Sequence, residues 1–141
     1  MIVVKGICYW VTGLSASGKS TVSKDLVDRI RKENQNVVLL DGDNLREIFN
    51  SQSFNKSNRL NLSYKYAQTA NMLLEQGIHV VIAVMALFHE VHKWNRDNIA
   101  NYVEVFLDVP ICELERRDPK GLYKKYHKGE IKNMVGLDLK A

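Results

Sequence analysis

Gly13-Leu-Ser15-Ala16-Ser17-Gly18-Lys19-Ser20-Thr21 is the stretch that decides the fold. Gly13, Gly18, Lys19 and Ser20 fall in register with GxxxxGK[ST], the loop that cradles nucleoside phosphates. Each residue type has a reason to be there. The glycines let backbone N–H groups curl around phosphate oxygens without a Cβ in the way. The ammonium of Lys19 neutralises the β- and γ-phosphates, and the Ser20 hydroxyl can ligate Mg²⁺. Gly13, Ser15, Ala16, Ser17, Gly18, Lys19, Ser20 and Thr21 are therefore the expected ATP-binding residues.

The flanks agree with the loop. Ile7–Thr12 is an apolar run ahead of it, and Val22, Leu26, Val27 and Ile30 form an apolar stripe behind it. That is a strand followed by a helix whose positive N-terminus faces the bound anion. Three further apolar runs follow at Val37–Asp41, Ile78–Met85 and Tyr102–Asp108. The first two of these are continuous rather than alternating, as strands covered on both faces are. Helical patterns separate the runs. One spans about Arg59 to Gln76 with Gly77 as its stop, and Met72, Leu73 and Leu74 read as core. Another includes Asn95 to Ala100, and Pro110 suits the first turn of the next. Alternating strands and helices predict an α/β fold, a central parallel sheet with right-handed crossovers.

Composition narrows the class. The 141 residues carry 20 basic and 16 acidic side chains, a net charge of +4 too small for a nucleic-acid coat. Apolar residues at 45% and charged residues at 26% are globular values. The whole length, 1–141, reads as a single domain. The longest unbroken apolar run, Val80 to Phe88, is far short of a membrane span. No charged-then-apolar leader opens the sequence, and Cys8 and Cys112 lack a CxxC partner. Both cysteines read as reduced and buried in a cytoplasmic protein.

The second motif is Leu40-Asp41-Gly-Asp43-Asn-Leu-Arg46, at the end of the second apolar run. Ligands of open α/β sheets bind at that edge. Asp41 and Asp43 could complete an Mg²⁺ shell through water, or one could take a proton from an attacking hydroxyl. Arg46, about one helical turn after Asp43, could grip an acceptor's phosphate or sulfate bidentately. Asp-Gly and Asn also favour plain turns, which is the non-functional account of the segment.

These two motifs, followed by Arg116-Arg-Asp-Pro-Lys120-Gly-Leu-Tyr-Lys-Lys-Tyr-His-Lys-Gly-Glu-Ile-Lys-Asn-Met134-Val-Gly-Leu-Asp138, resemble the adenylylsulfate kinase family over nearly the whole length. The resemblance implies an α/β P-loop NTPase/kinase fold, a central parallel sheet flanked by helices with a basic lid. It also implies transfer of the ATP γ-phosphoryl group to the 3′-hydroxyl of a nucleotide, with Mg²⁺. Carried over by position, Asp41 resembles the general base and, with Ser20, part of the metal shell. Asp43 resembles its hydrogen-bonding partner, and Lys19 completes the catalytic set. Arg117 resembles a contact near the donor base. Arg46, Phe54, Arg59, Lys120 and Met134 fall at acceptor-binding positions. Family members are commonly dimers.

The departures cluster on the acceptor side. After Phe54 the family continues with a segment like FSxxDRxENIRR. Here its aspartate is Asn58, its acceptor-binding asparagine is Leu62, and its arginine pair is Tyr64 and Lys65. An arginine fork exchanged for tyrosine removes bidentate anion binding. The Phe-Ile-Ser-Pro after the third strand is Met85-Ala-Leu-Phe88, and one aromatic of the base sandwich is Met134. The expected reaction type is unchanged, with adenylyl sulfate as the family acceptor. The alternative acceptor is a smaller pyrimidine nucleotide, because the stretch around His79–Ile99 resembles a branch that phosphorylates cytidine diphosphoramidate for bacterial capsule modification. The family also usually extends past Asp138 with a strand and a helix, whose absence would leave one sheet face less covered.

Between Arg116 and Lys132 seven basic residues face only Asp118 and Glu130. This run reads as a mobile lid that closes over both substrates and excludes water. A solvated face is the plain alternative, and an RNA patch is disfavoured because few aromatics interleave it. His89-Glu-Val-His92 is one residue short of the zinc-binding HExxH. The plain account of this stretch is a loop or the start of a helix; its histidines, or Arg96, could instead touch the acceptor. A nucleotide-binding regulator without turnover, and a shikimate- or gluconate-type kinase, are the rival functions. Intact Lys19, Asp41 and Asp43 oppose the first, and the LDGDNLR segment opposes the second.

Overall fold

The computed structural model describes residues 4–33 and 35–140. Four strands form one parallel sheet in the order β2-β3-β1-β4: β1 Cys8–Gly13, β2 Val37–Asp41, β3 His79–Val84 and β4 Tyr102–Leu107. Thr12 lies opposite Val84, Asp41 opposite Ala83 and Gly13 opposite Leu107. All four strands thus end at the same edge. β1 leads away to β2 on one side, and β3 crosses over β1 to reach β4. The crevice between the ends of β1 and β3 is where such a sheet changes winding direction and takes its ligand.

Among the described residues there are six helices: α1 Lys19–Lys32, α2 Gly42–Ile48, α3 Lys56–Leu74, α4 His89–Asn98, α5 Ile111–Arg117 and α6 Leu122–His127. Strand alternation divides the core. Cys8, Trp10, Val80, Ile82 and Val84 pack against Leu62, Tyr66, Ala67, Ala70 and Leu74 of α3 and Val91 of α4. Val11, Val37 and Val81 pack on the other face against Val27 and Ile30 of α1. A third cluster, Leu114, Tyr123 and Met134, lies under α5 and α6 away from the sheet. No helix among the described residues is long and apolar enough to cross a membrane.

Several local expectations are corrected. Val37–Asp41 is an edge strand, so only Val37 is buried while the rest is half-covered. Gly42–Ile48 is a helix rather than a turn, because the Asp41 carboxylate accepts the Asp43 N–H at 2.9 Å and caps it. α1 buries Ser23 with Val27 and Ile30, while Val22 is exposed. Met72 is also exposed, with Leu74 carrying the core contact. α4 starts at His89, well ahead of Asn95. Cys8 is buried but Cys112 is exposed. Gly77 ends α3 as expected. It sits at φ 82°, its N–H donates to Leu74 O at 3.0 Å, and Ile78 N–H donates to Leu73 O at 3.3 Å. That left-handed geometry is open to glycine at no steric cost.

Candidate active site

The phosphate loop is built by β1 ending inside the sheet and α1 starting at its edge. Ser17 N–H donates to Leu14 O at 3.2 Å and closes a turn across Ser15 and Ala16. Gly18, at φ 95°, bends the chain into α1. Lys19 Nζ folds back to donate to Gly13 O at 3.0 Å and Leu14 O at 2.8 Å. Burial, with the charge of Lys120 added, pushes the Lys19 ammonium down to about 8, against the opposing pull of Asp43 and Asp41. A half-buried, partly desolvated cation of this kind gains from an anion.

Asp41 comes to the same crevice as the last residue of β2 and the cap of α2. Asp43 follows in the first helical turn, and Arg46 one turn later. Lys120, from the segment joining α5 and α6, ion-pairs with Asp43 Oδ2 at 2.7 Å. Both side chains are largely exposed, so this contact is worth at most about 1 kcal/mol.

The far wall gathers around Phe54. The guanidinium carbons of Arg46 and Arg59 lie 4.2 Å and 5.2 Å from the ring centroid. Arg59 also donates through Nε to Phe54 O at 2.7 Å and through Nη2 to Asn133 O at 3.1 Å. Burial and the Arg46 charge lower its pKa to about 10, which leaves it cationic at neutral pH. The partners of both arginines are carbonyls, a hydroxyl and a thioether; no carboxylate pairs with either among the described residues. Two uncompensated guanidiniums on one ring make a site for an anion.

Together these groups line a cleft of about 650 Å³. Ser15, Ala16, Gly18, Lys19, Ser20, Thr21, Asp41, Asp43, Arg46, Phe54, Arg59, Arg117, Lys120 and Met134 all border it. Gly13 and Ser17 do not: Ser17 is buried within the loop, and both shape it from behind. Arg117 donates to Ala16 O at 3.3 Å and to Glu113 at 3.0 Å, which ties the lid to the phosphate loop.

Other candidates lie elsewhere. Arg96 pairs with Glu104 at 3.3 Å, and His89 is exposed outside the cleft. His92 is buried, with Nε2 donating to Ala86 O at 2.7 Å, and so braces the loop after β3. Tyr64 packs edge-on against Trp94, at 6.1 Å between centroids, away from the cleft. No group of three or more metal-ligating side chains exists among the described residues.

Three site residues were not anticipated. Tyr66 lines the cleft and its hydroxyl lies 3.4 Å from Gly42 O. It follows Arg59, Leu62 and Ser63 at helical spacing, so periodicity from Arg59 would have found it. Asp138 accepts the N–H groups of Asn133 and Met134 at 3.0 and 2.6 Å and fixes the loop that presents Met134. Asn133 supplies the carbonyl that Arg59 grips, a contact that only the folded chain brings together.

Comparison with known proteins accords with this geometry. The family model described as adenylylsulphate kinase matches residues 5–140. The cytidine diphosphoramidate kinase of Campylobacter jejuni is 37% identical over 130 residues, covering 92% of this chain and 76% of that protein. The adenylyl-sulfate kinase of Pseudomonas aeruginosa is 38% identical over 132 residues, covering 92% and 67%. The Mycobacterium tuberculosis APS kinase, solved with AMPPNP and APS, is 34% identical, with a TM-score of 0.90 over 96% of this chain and 81% of that one.

Proposed function

Because the chain belongs to the adenylylsulphate kinase family, we propose that it transfers the γ-phosphoryl group of ATP to the 3′-hydroxyl of a nucleotide acceptor. The observation that carries this reading is the polarity of the cleft. A half-buried lysine on a phosphate loop marks one end, an arginine pair without a carboxylate partner on Phe54 marks the other, and Asp41 and Asp43 line the same cleft. A donor triphosphate and an anionic acceptor suit the two ends.

In the reaction the bond from the γ-phosphorus to its bridging oxygen breaks and a bond from the 3′-oxygen forms. ADP leaves, and the hydroxyl proton passes to Asp41. The Asp41 Oδ1 atom is occupied by the Asp43 N–H, which leaves Oδ2 for that proton. Lys19, drawn from the loop carbonyls by the triphosphate, offsets charge as it develops. Arg46 and Arg59 hold the acceptor's phosphate, while Phe54 and Met134 flank its base. Lys120 releases Asp43 and reaches toward the phosphates.

The donor set also suits Mg²⁺. The Ser20 hydroxyl and the Asp41 carboxylate border the cleft, and no all-protein cage exists among the described residues. That is how Mg²⁺ is usually held, by one or two protein oxygens plus substrate phosphates. When bound, it would neutralise charge between the β- and γ-phosphates.

Adenylyl sulfate is the family acceptor. A second reading, cytidine diphosphoramidate, is favoured by two features of the acceptor wall. Buried Leu62 offers no hydrogen bond there, and Met134 borders the cleft at the position of the family's second aromatic, which would enclose a purine. Turnover of both nucleotides with radiolabelled ATP separates the readings. Efficient use of adenylyl sulfate alone eliminates the cytidine acceptor, and transfer to neither sinks the proposal as a whole.

A further inference from the structure

The structure assigns Tyr123 a positioning role toward the donor's phosphates: its hydroxyl holds the Ser15–Ala16 peptide in the one orientation that turns the Ala16 N–H into the cleft. This rests on the reading of the loop as the ATP site.

The argument starts from the turn. Ser17 N–H to Leu14 O makes Ser15 and Ala16 its two central residues. Ala16 has φ 69° and Ser15 is not among the positive-φ residues. Positive φ at the second central position alone defines a type II turn. Type I differs by a flip of the central peptide and needs no positive φ. Alanine prefers type I, because the left-handed region crowds its Cβ. Something outside the turn must hold the disfavoured form.

Tyr123 is placed to do so. It lies on α6, is 1% exposed, and its hydroxyl donates to Ser15 O at 2.9 Å. In a planar trans peptide the carbonyl and the next N–H point in opposite directions. Pinning Ser15 O toward Tyr123 therefore points the Ala16 N–H the other way, and Ala16 borders the cleft. That N–H has no protein acceptor among the described residues, so it is left for a phosphate oxygen. Arg117 holds the following carbonyl, Ala16 O, at 3.3 Å. Asp118 anchors the segment by accepting the N–H groups of Tyr123 and Lys124 at 3.1 and 3.2 Å. The lid thus sets the shape of the phosphate loop, as well as covering it.

The test is Tyr123→Phe, alone and with Ala16→Gly. The reading is the dissociation constant of AMPPNP by calorimetry, with the KM for ATP, kcat and Tm measured in parallel. Tyr123→Phe keeps the ring and loses the hydroxyl. It should weaken AMPPNP binding and raise the KM for ATP about three- to tenfold, the worth of one hydrogen bond. Glycine adopts positive φ freely, so Ala16→Gly in the Tyr123→Phe background should recover most of that loss. A tyrosine that merely packs the lid cluster would not be rescued from a neighbouring loop. Unchanged AMPPNP affinity in Tyr123→Phe, or a loss that Ala16→Gly leaves in place, overturns the assignment. A wild-type chain that binds no AMPPNP overturns the underlying ATP-site reading as well.

Discussion

The proposed reaction gives Asp41 a second job beside its cap, and substitution can separate the two. One carboxylate oxygen caps α2, and the proposal assigns the acceptor's proton to the other. Asparagine is as good a cap but a far weaker base. Asp41→Asn should hold Tm while kcat falls about 10²- to 10⁴-fold. Asp41→Ala should lose the same activity and about 1 kcal/mol of stability as well. Calorimetric melting beside initial rates checks both, and activity retained in Asp41→Asn would remove the base role. Lys19 sets a pH dependence. Its folded pKa is lowered from 10.5 to about 8, so the unfolded chain binds the extra proton between those values. Stability from this residue therefore rises as pH climbs from about 8 toward 10.5, and the burial penalty is fully felt below that window. Urea midpoints of wild type and Lys19→Met at pH 7.5 and 9.5 should differ by this rise, present in wild type and absent in the variant. Lys19, Asp41 and Asp43 were legible because their chemistry is carried by close sequence neighbours. Tyr66, Tyr123 and Asp138 act through contacts made only in the folded chain, so no short motif marks them.

At the level of elements, the same distinction explains which helices could be read. α1 and α3 carry enough apolar repeats to declare themselves, and Gly77 marks the end of α3. α4 buries Val91, His92 and Asn95, a face with one hydrocarbon and two polar residues. Its N-cap, Phe88, makes no side-chain capping bond. With few apolar repeats and no capping side chain, a helix start at His89 could not be told from a loop. α2 was ambiguous for the opposite reason: a capping aspartate and a turn aspartate look alike until the chain beyond them folds. In the loop after α6, side chains clamp Asn133 and Met134 beside the loop's own backbone bonds. Asp138 holds the Asn133 and Met134 amides from one side and Arg59 holds Asn133 O from the other. Asp138→Ala should free Met134 and raise the acceptor KM several-fold, at a stability cost of about 1–3 kcal/mol for the lost bonds. The KM for ATP should move little. Equal effects on both KM values would mean that the clamp serves the whole cleft rather than the acceptor wall.

Across the whole molecule, continuous apolar runs and a phosphate loop were enough to anticipate a parallel α/β sheet. They could not rank the strands: the order β2-β3-β1-β4 depends on which pairings bury the most surface, and every run is apolar. Nor could they show that the core has three parts. The two sheet-face clusters are large and share strands. The lid cluster has Leu114, Tyr123 and Met134 as its buried members, with Leu14 and Ala16 of the phosphate loop packed against them, and a few polar ties add to that contact. Among these are the exposed Lys120–Asp43 pair and the bonds from Tyr123 and Arg117 to the phosphate loop. A cluster with few fully buried members opens at lower free energy than the sheet. Amides of α5 and α6 should therefore exchange hydrogen well before those of β1 and β3. AMPPNP and acceptor together should slow them, because substrate phosphates add partners for Lys120 and the loop while the sheet gains nothing. Mass action sets the scale: a ligand at about 100 times its Kd adds about 2.7 kcal/mol to any opening that releases it. Exchange mass spectrometry with each substrate alone and with both measures this. Lid protection equal to that of β1 in the empty protein, or unchanged by both substrates, would mean that α5 and α6 are a fixed wall rather than a closing one.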